Sequence, residues 1–407
     1  MTRSARKHLA LAVGIATLVT AGATTAEARP ATAEARPATA EARPGTTSPA
    51  KRLQQDVEAI HALGISGVQA RTVGPGGRQT VATSGTADLR TGRPVSPDGY
   101  FRMASTAKTL IATVVLQLEE EGGLSLDDTV EHWLPGLVDG NGNDGRRITV
   151  RQLLQHTSGI HDDLPGYTTP EEYYQQRYDI HSSRELVGRA MRHAPDFEPG
   201  KGWGYSNTGY VLLGMIIQKV TGHAAHEEVE TRVLRPLGLD QTRWTGVSRT
   251  LPRPHAQGYQ FFGPGARVDV TRQVPVGHEA LSWVTTTRDE NALFRALLGG
   301  RLLSGRQLAE MKRTVPVSED AQQSWPGGRY GLGIVERPLS CGGTYWGHEG
   351  GDGGYITLNG VTGDGRRSAV VSMSEARGDT LEHILEQEKT ASALIDRALC
   401  AGGPGAP

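Results

Sequence analysis

The stretch Phe101-Arg-Met-Ala-Ser-Thr-Ala-Lys-Thr-Leu110 determines how the fold and chemistry of this 407-residue chain are interpreted. Apolar residues continue beyond it at helical spacing and predict a helix over 105–122. Because residues three positions apart share one face of a helix, Ser105 and Lys108 should point into the same space. A lysine whose charge is disfavoured by burial can help a serine hydroxyl to act as a nucleophile. The stretch therefore indicates a candidate catalytic pair.

The Ser-x-x-Lys spacing is unspecific on its own. The same spacing occurs at Ser4 and Lys7 and again at Ser48 and Lys51, where no catalytic role is expected. The alternative for Ser105 is a helix N-cap followed by a surface lysine. Other motifs, distant along the chain, are needed to choose between the two interpretations.

One such motif is Lys201-Gly-Trp-Gly-Tyr-Ser-Asn207, which precedes an apolar segment that predicts a helix over 207–221. Tyr205 and Asn207 would thus be displayed from a loop just before a rigid helix. A phenol close to a lysine can move protons, and a side-chain amide can orient the amide of a substrate. The alternative is a turn that only caps the helix.

Another motif is Gly347-His-Glu-Gly-Gly351, which interrupts a strand pattern. Glycine inside a strand marks the close approach of a ligand or of another backbone. We therefore expect a substrate backbone to pass Gly350 and Gly351. His348 would lie beside that path, although taken alone it is better interpreted as an ordinary strand residue.

The order of the predicted elements indicates an α+β fold. The elements at the two ends are a helix over 52–64, strands over 67–73, 79–84, 329–336, 344–348, 354–361 and 367–374, and a final helix over 379–400. The middle of the chain is mainly helical, with helices predicted over 105–122, 149–155, 207–221, 223–235 and 288–299. This order favours one antiparallel sheet flanked by the terminal helices, plus a mostly helical lobe, with the site in the cleft between them.

In the order Ser-x-x-Lys, Tyr-x-Asn and His-x-Gly, the motifs resemble those of the serine hydrolases of the β-lactamase/penicillin-binding superfamily. The resemblance extends over nearly all of the predicted domain. It is closest to the branch of the secreted D-alanyl-D-alanine carboxypeptidase and the class C β-lactamases. Supporting stretches are Ile148–Gly159, Asn207–Gly214 and Tyr330-Gly-Leu-Gly333. The resemblance implies a β-lactamase/DD-peptidase-like fold.

The resemblance also implies a role for each motif. Ser105 would attack a carbonyl carbon to form an acyl-enzyme, and Lys108 and Tyr205 would move the protons. Asn207 would position the amide of the substrate. His348 would take the place of the basic residue in the Lys-Thr-Gly motif of related enzymes.

Carboxylate recognition is where the chain departs from the carboxypeptidase pattern. The usual His-Thr-Gly has Glu349 in its middle position here, and Val335 stands where an arginine follows Tyr-Gly-Leu-Gly-x. Arg337 lies two residues further, on the same face of the strand. Glu349 would repel the carboxylate of a substrate unless Arg337 compensated. The resemblance still implies an oxyanion hole formed by the N–H groups of Ser105 and Gly351.

The N-terminal residues predict delivery rather than catalysis. Three basic residues precede 15 apolar or small residues, Leu9 to Ala23, and an Ala-x-Ala site ends at Ala28. This is the layout of a secretory signal peptide, with an uncleaved anchor as the alternative. The stretch is shorter than the about 20 residues that a membrane span needs. The predicted division is a signal peptide over 1–28, a disordered Ala/Glu/Arg/Pro repeat linker over 29–51, a hydrolase domain over 52–400 and a tail over 401–407.

The chain has two cysteines, Cys341 and Cys400. In an exported protein an even pair favours a disulfide, with two free thiols as the alternative. The two positions also resemble those of the disulfide in the secreted carboxypeptidase, so the resemblance implies the same pairing.

Composition restricts the partners. The chain has 43 Lys and Arg against 44 Asp and Glu, a net charge of −1, and lacks a sustained basic run. A nucleic-acid partner is therefore not expected, and no stretch after the first has the length of a membrane span. Residues of metal-ligand type cluster at His156, His161, Asp162 and Asp163, but a structural turn is the better interpretation there.

These features together predict a secreted serine hydrolase that uses neither metal nor cofactor. The resemblance implies a D-alanyl-D-alanine carboxypeptidase that acts on peptidoglycan stem peptides, with β-lactams as inhibitors or substrates. The first alternative is a β-lactamase or an esterase on the same scaffold. The second is a cell-wall-binding relative without turnover.

Overall fold

The computed structural model describes residues 48–401 except 264 and 266. The predicted signal peptide, the repeats up to residue 47 and the residues after 401 lie outside the described residues. The first helix begins at Pro49, because Ser48 accepts a hydrogen bond from the Lys51 N–H and proline suits the first position of a helix. Residues 48–51, which the sequence assigns to the linker, therefore belong to the folded part.

The strands of the described residues, in chain order, are β1 (Gly67–Val73), β2 (Gln79–Asp88), β3 (Arg93–Pro94), β4 (Phe101–Arg102), β5 (Asp139–Gly140), β6 (Asn143–Asp144), β7 (Arg243–Trp244), β8 (Tyr259–Phe261), β9 (Arg267–Asp269), β10 (Trp283–Thr285), β11 (Val315–Pro316), β12 (Arg329–Tyr330), β13 (Val335–Pro338), β14 (Thr344–Gly347), β15 (Gly350–Asp352), β16 (Tyr355–Thr362), β17 (Ser368–Met373) and β18 (Glu375–Ala376). The main sheet is antiparallel and has the order β11-β12-β13-β14-β16-β17-β1-β2-β3, with β15 paired to β16.

The α-helices of the same residues are α1 (Pro49–Ala62), α2 (Ala107–Glu120), α3 (Val130–Trp133), α4 (Val150–Gln155), α5 (Pro170–Gln176), α6 (Ser183–Ala190), α7 (Asn207–Thr221), α8 (Ala225–Val229), α9 (Arg235–Leu237), α10 (His278–Leu281), α11 (Thr287–Leu298), α12 (Gly305–Met311), α13 (Ala321–Ser324) and α14 (Leu381–Cys400). A 3₁₀ turn at Ala104–Thr106 leads into α2, and a π-helical turn at Glu230–Leu234 joins α8 to α9.

Each lobe has its own apolar core. The terminal helices α1 and α14 pack against the sheet, where buried Val57 and Leu394 belong to one cluster with strand residues such as Val371. The helical lobe has a larger core around α2 and α7, with residues such as Leu110 and Leu213. This arrangement confirms the predicted α+β fold, and the site lies where the two lobes meet.

The strand predicted over 329–336 is divided in the structure into β12 and β13. Between them Gly333 has φ +73°, and a Cβ at this position would overlap the Cβ of Ala112 in α2. The Gly333 carbonyl oxygen accepts a hydrogen bond of 2.7 Å from Thr109 Oγ1. The turn is therefore shaped by its contact with the helix that follows Ser105, which a local strand pattern cannot indicate.

The helix predicted over 223–235 is also interrupted. It consists of α8, the π-helical turn and α9. Pro236 has no N–H to donate and lies at the start of α9, so the regular hydrogen-bond ladder cannot continue through it. By contrast, the predicted helix over 207–221 and the predicted strand over 67–73 have the bounds that the structure shows.

Candidate active site

Ser105 lies on the 3₁₀ turn between β4 and α2, at the junction of the lobes. The preceding residue, Ala104, has φ +50°, a conformation that costs a non-glycine residue about 1–3 kcal/mol and persists where its surroundings enforce it. Thr106 Oγ1 donates a hydrogen bond of 2.9 Å to the carbonyl oxygen of His348. The turn that presents Ser105 is thus tied to the strand region that contains the His-x-Gly motif.

Lys108 is buried directly beside the serine. Its Nζ lies 3.0 Å from Ser105 Oγ and 2.6 Å from Asn207 Oδ1, and 4.8 Å from the centre of the Tyr205 ring. Burial lowers the pKa of Lys108 to about 7, although the charge of Asp162 opposes this shift. Near pH 7 a large fraction of Lys108 is therefore the neutral amine, which can accept the proton of Ser105.

Tyr205 lies beside Lys108, with its ring centre 4.8 Å from Lys108 Nζ. Burial raises the pKa of Tyr205 well above its ordinary value. The phenol therefore remains protonated at neutral pH, so an amine that is partly neutral at Lys108 lies beside a protonated phenol at Tyr205.

Asn207 begins α7, and its amide is held on both sides. Its Oδ1 accepts from Lys108, and its Nδ2 donates to Asp162 Oδ2 at 2.8 Å. Ser206 caps the helix by accepting a hydrogen bond from the Gly209 N–H. The structure brings Asn207 to the site as expected, and the predicted contact with a substrate amide stays a prediction.

His348 is buried, and a chain of hydrogen bonds through Tyr330 joins it to His156. The chain begins at the Ser206 N–H, which donates to His156 Nδ1. The neutral His156 ring therefore has its proton on Nε2 and donates to Tyr330 Oη at 3.1 Å. Tyr330 Oη then donates to His348 Nε2 at 2.8 Å, and His348 Nδ1 donates to the Glu349 carbonyl oxygen at 2.7 Å.

This hydrogen-bonded chain determines the charge of the motif. Burial, with the nearby Lys108 charge, lowers the pKa of His348 to about 3. The same causes lower the pKa of His156 well below its ordinary value. His348 therefore stands at the predicted position as a neutral ring, without the positive charge that the lysine of Lys-Thr-Gly would supply.

Gly350 and Gly351 lie in β15, against the turn that presents Ser105. A Cβ on Gly350 would overlap the carbonyl oxygen of Met103, so the close approach requires glycine. This approach fits the predicted oxyanion hole, which needs the N–H groups of Ser105 and Gly351 near one point.

Arg337 and Glu349 form an ion pair at the edge of the site. Arg337 Nη1 lies 2.5 Å from Glu349 Oε1, and the two side chains are only 11% and 17% exposed. Trp325 Nε1 donates to Glu349 Oε2 at 2.8 Å, and Arg337 Nη2 donates to the Ser324 carbonyl oxygen at 3.2 Å. Arg337, which was expected to offset the charge of Glu349, contacts this residue directly, so the protein itself compensates the guanidinium charge.

A further carboxyl group lies behind this pair. Glu388 of α14 is buried, and burial together with the charge of Glu349 raises the pKa of Glu388 to about 8. Because Glu388 keeps its proton at neutral pH, it adds no negative charge beside the Arg337–Glu349 pair.

The residues with metal-ligand chemistry are drawn into other contacts. His156 belongs to the hydrogen-bonded chain, His161 Nδ1 lies 2.8 Å from Asp196, and Asp163 Oδ1 lies 3.0 Å from Arg189 Nη2. Asp162 contacts Asn207. Among the described residues, no group of three or more His, Cys, Asp or Glu side chains could hold a metal ion.

The disulfide between Cys341 and Cys400 is confirmed, with an S–S distance of 2.06 Å. It joins the segment between β13 and β14 to the end of α14. The C-terminal helix, which contains Glu388, is thereby attached covalently to the strands beside the site. Within residues 48–401, no helix is long and apolar enough to cross a membrane.

Three residues that form hydrogen bonds with Asn207, Glu349 or His348 were not assigned to the site from the sequence: Asp162, Trp325 and Tyr330. Tyr330 belongs to the Tyr-Gly-Leu-Gly stretch, which supported the family resemblance without indicating a role. Asp162 was weighed only as a metal ligand. Trp325 stands in no recognised motif.

A serine hydroxyl beside a buried lysine, at the junction between an antiparallel sheet and a helical lobe, is typical of serine hydrolases in which a lysine helps to activate the serine. Residues 50–391 match the family Beta-lactamase, and the chain belongs to this family.

Solved structures and curated proteins give the same assignment. A D-stereospecific amidohydrolase from Streptomyces sp. is 38% identical, with a TM-score of 0.75, over 84% of this chain and 98% of that chain. D-amino acid amidase from Ochrobactrum anthropi SV3 is 28% identical, with a TM-score of 0.72, over 84% and 96%.

Among curated proteins, penicillin-binding protein 4 of Amycolatopsis lactamdurans is 34% identical over 42% of this chain and 41% of that protein. Esterase EstB of Burkholderia gladioli is 35% identical over 48% and 51%. The matches span about a third to a half of the curated relatives' own length.

Proposed function

We propose that this β-lactamase-family serine hydrolase is a D-stereospecific amidohydrolase, whose preferred substrates have no carboxylate on the leaving side. The observation that supports the proposal most is the 2.5 Å ion pair between Arg337 and Glu349. A cation that is already paired with a buried carboxylate offers little attraction to the carboxylate of a substrate. The similarity to a D-stereospecific amidohydrolase and to a D-amino acid amidase agrees with this preference.

The proposed reaction uses Ser105, Lys108 and Tyr205. Neutral Lys108 accepts the proton of Ser105 as Oγ bonds to the carbonyl carbon, and the N–H groups of Ser105 and Gly351 stabilise the oxyanion. As the C–N bond breaks, Tyr205 donates its proton to the leaving nitrogen and is reprotonated from Lys108. Water then attacks the acyl-enzyme and gives a proton to Lys108. Lys108 returns this proton to Ser105 Oγ as the bond between Oγ and the acyl carbon breaks and the acid is released, which restores both residues.

The substrate would lie along β15 in an antiparallel arrangement. A reacting residue whose carbonyl oxygen accepts from the Gly351 N–H has its leaving group toward Glu349 and its acyl part toward Asp352, because antiparallel partners run in opposite directions. Glu349 is therefore the acidic residue nearest to the leaving side. This placement favours an uncharged or cationic leaving group.

A D-alanyl-D-alanine carboxypeptidase that acts on peptidoglycan stem peptides is the second candidate. The penicillin-binding protein relatives favour it, as does the presence of Arg337 near the site. In this case β-lactams would acylate Ser105. The ester-hydrolysing alternative is supported by the match to esterase EstB.

Matched substrates distinguish the candidates. Hydrolysis is measured for a peptide that ends in D-Ala-D-Ala with a free carboxylate, for the same peptide as its C-terminal amide, and for D- and L-phenylalanine amide. The proposal predicts faster cleavage of the carboxamide than of the carboxylate peptide, and of the D- than of the L-amide. Faster cleavage of the carboxylate peptide would support the carboxypeptidase instead. Ser105→Ala is the control for catalysis by a contaminant.

We infer that the protein is exported. The apolar stretch from Leu9 to Ala23 and the Cys341–Cys400 disulfide support this inference, since disulfides persist in oxidising compartments. Expression of the full chain, followed by N-terminal sequencing of the protein in the medium, tests it. Retention of uncleaved protein in the cell would contradict it.

A further inference from the structure

The carboxylate of Asp162 receives three hydrogen bonds from the beginning of α7. Its Oδ1 accepts from the Asn207 N–H at 2.8 Å and from the Thr208 N–H at 3.3 Å, and its Oδ2 accepts from Asn207 Nδ2 at 2.8 Å. Asp162 belongs to the segment between α4 and α5, so the contact joins two separate parts of the helical lobe. A carboxylate at a helix N-terminus is also favoured by the helix dipole.

This contact determines the orientation of the Asn207 amide. If the amide were reversed, its oxygen would face the Asp162 carboxylate and its NH₂ group would face Lys108. The contact with Asp162 would then join two acceptors and the contact with Lys108 would join two donors, since a carboxylate only accepts and an ammonium only donates. With Asp162 in place, Asn207 Oδ1 faces Lys108 Nζ at 2.6 Å, and Nζ is directed toward Ser105.

We propose that Asp162 is a positioning residue of the catalytic site, which acts through Asn207 to orient Lys108. The negative charge of Asp162 also favours the protonated form of this lysine. The proposal concerns the activation of Ser105, and it rests on the serine-hydrolase chemistry of the site rather than on which amide is cleaved. Among the described residues, no hydrogen bond joins Asp162 to Ser105, so Asp162 must act on Ser105 through its neighbours.

The surroundings of Lys108 make Asp162 the relevant charge. The titratable and polar groups that face Lys108 are Ser105 on the 3₁₀ turn, His156 after α4, Asp162, Tyr205, Asn207 and Tyr210 on or before α7, and His348 after β14. The two histidines are neutral because their pKa values are lowered, and the phenols remain protonated because theirs are raised. Asp162 is the acid whose charge raises the pKa of Lys108.

The test uses the rate at which a fluorophosphonate probe labels Ser105 in the full chain, measured between pH 5 and 9. The wild-type rate should fall on the acid side as Lys108 becomes protonated. In Asp162→Asn the maximal rate should be about 10–100-fold lower, because Lys108 is less well positioned. The acid limb should also move to lower pH by about one unit, because a neutral neighbour no longer favours the ammonium form.

Asp163→Asn is the matched control. It makes the same change one residue away, where the carboxylate pairs with Arg189 and lies outside the site. Its labelling profile should match the wild type. An Asp162→Asn profile with an unmoved acid limb would overturn the proposal, even with a lower rate, since a merely structural role lowers the rate alone.

Asp162→Glu provides the second test if Asp162→Asn does not fold. It keeps the charge and displaces the carboxylate, so the acid limb should stay in place while the maximal rate falls. A moved limb or an unchanged rate in Asp162→Glu would overturn the proposal. Because the probe requires no amide substrate, these results are independent of whether D-amides are hydrolysed. Failure to label Ser105 at any pH would overturn both proposals together.

Discussion

Arg337 Nη1 lies 2.5 Å from Glu349 Oε1, directly before β15, and both side chains are largely buried. Burial raises the pKa of Glu349, while the Arg337 charge and the Trp325 N–H oppose the rise. A charged guanidinium at this distance favours the carboxylate form, so we expect Glu349 to be ionised at neutral pH. A carboxypeptidase would be expected to have a free cation here to bind the carboxylate of its substrate, whereas the guanidinium of Arg337 is already paired with Glu349.

Replacing Glu349 with Thr should therefore change the substrate preference. The variant frees Arg337 and introduces the residue of the His-Thr-Gly pattern. The kcat/KM for peptides that end in a free carboxylate should rise about tenfold, equivalent to about 1.4 kcal/mol, relative to their amides. Glu336→Thr, on the neighbouring strand β13, is the control and should leave the ratio unchanged. An unchanged or lower ratio in Glu349→Thr would show that the pair does not determine this preference.

The pH dependence of the wild type should have an acid limb near pH 7. Lys108 must be neutral to accept the proton of Ser105, and its pKa is about 7, so kcat/KM should fall as the pH is lowered through this value. Lys108→Arg should lower kcat/KM by about 10²–10⁴ at every pH from 6 to 9, because a guanidinium stays protonated. Lys219→Arg at the exposed end of α7 should have no such effect. Substantial activity in Lys108→Arg would mean that another group is the base.

Tyr330→Phe should destabilise the protein. Tyr330 Oη links the buried rings of His156 and His348, and its removal leaves a donor on one ring and an acceptor on the other without their partner. The expected loss is about 2 kcal/mol in the free energy of unfolding, measured by urea denaturation. Tyr174→Phe is the control, since this ring is 54% exposed. Equal stability of the two variants would show that the hydrogen bonds of Tyr330 to His156 and His348 do not stabilise the fold.

Removal of the disulfide should also destabilise the fold. With Cys341 and Cys400 59 residues apart, loop closure in the unfolded chain predicts a loss of about 4 kcal/mol for the double Ala variant. Wild-type protein kept reduced should show a similar loss by the same denaturation assay. Stability that does not depend on the reductant would contradict this expectation.

Local patterns predicted those parts of the site that depend on local geometry. The predicted helical spacing was enough to place Ser105 and Lys108 together, although Ser105 lies on the 3₁₀ turn before α2. Asn207 was placed by the start of an apolar helix. The alternation of a strand placed Arg337 on the same face as Val335, but its ion pair with Glu349 was not predicted.

The remaining contacts depend on tertiary packing. Asp162 meets Asn207 across 45 residues, and Tyr330 lies between two histidines that are distant in sequence. Neither contact has a periodic signal, because each arises only where separate elements meet. The division of the predicted strand at Gly333 has the same origin, since that turn follows the surface of α2.

The most direct measurement of the central claim is the mass of the enzyme during turnover of D-phenylalanine amide and of its L-enantiomer. Rapid acid quenching followed by mass spectrometry should reveal a phenylalanyl adduct, located on the peptide that contains Ser105. The adduct should form faster from the D-amide and should not form in Ser105→Ala. Turnover of the D-amide with no adduct on Ser105, or with activity retained in Ser105→Ala, would contradict the account.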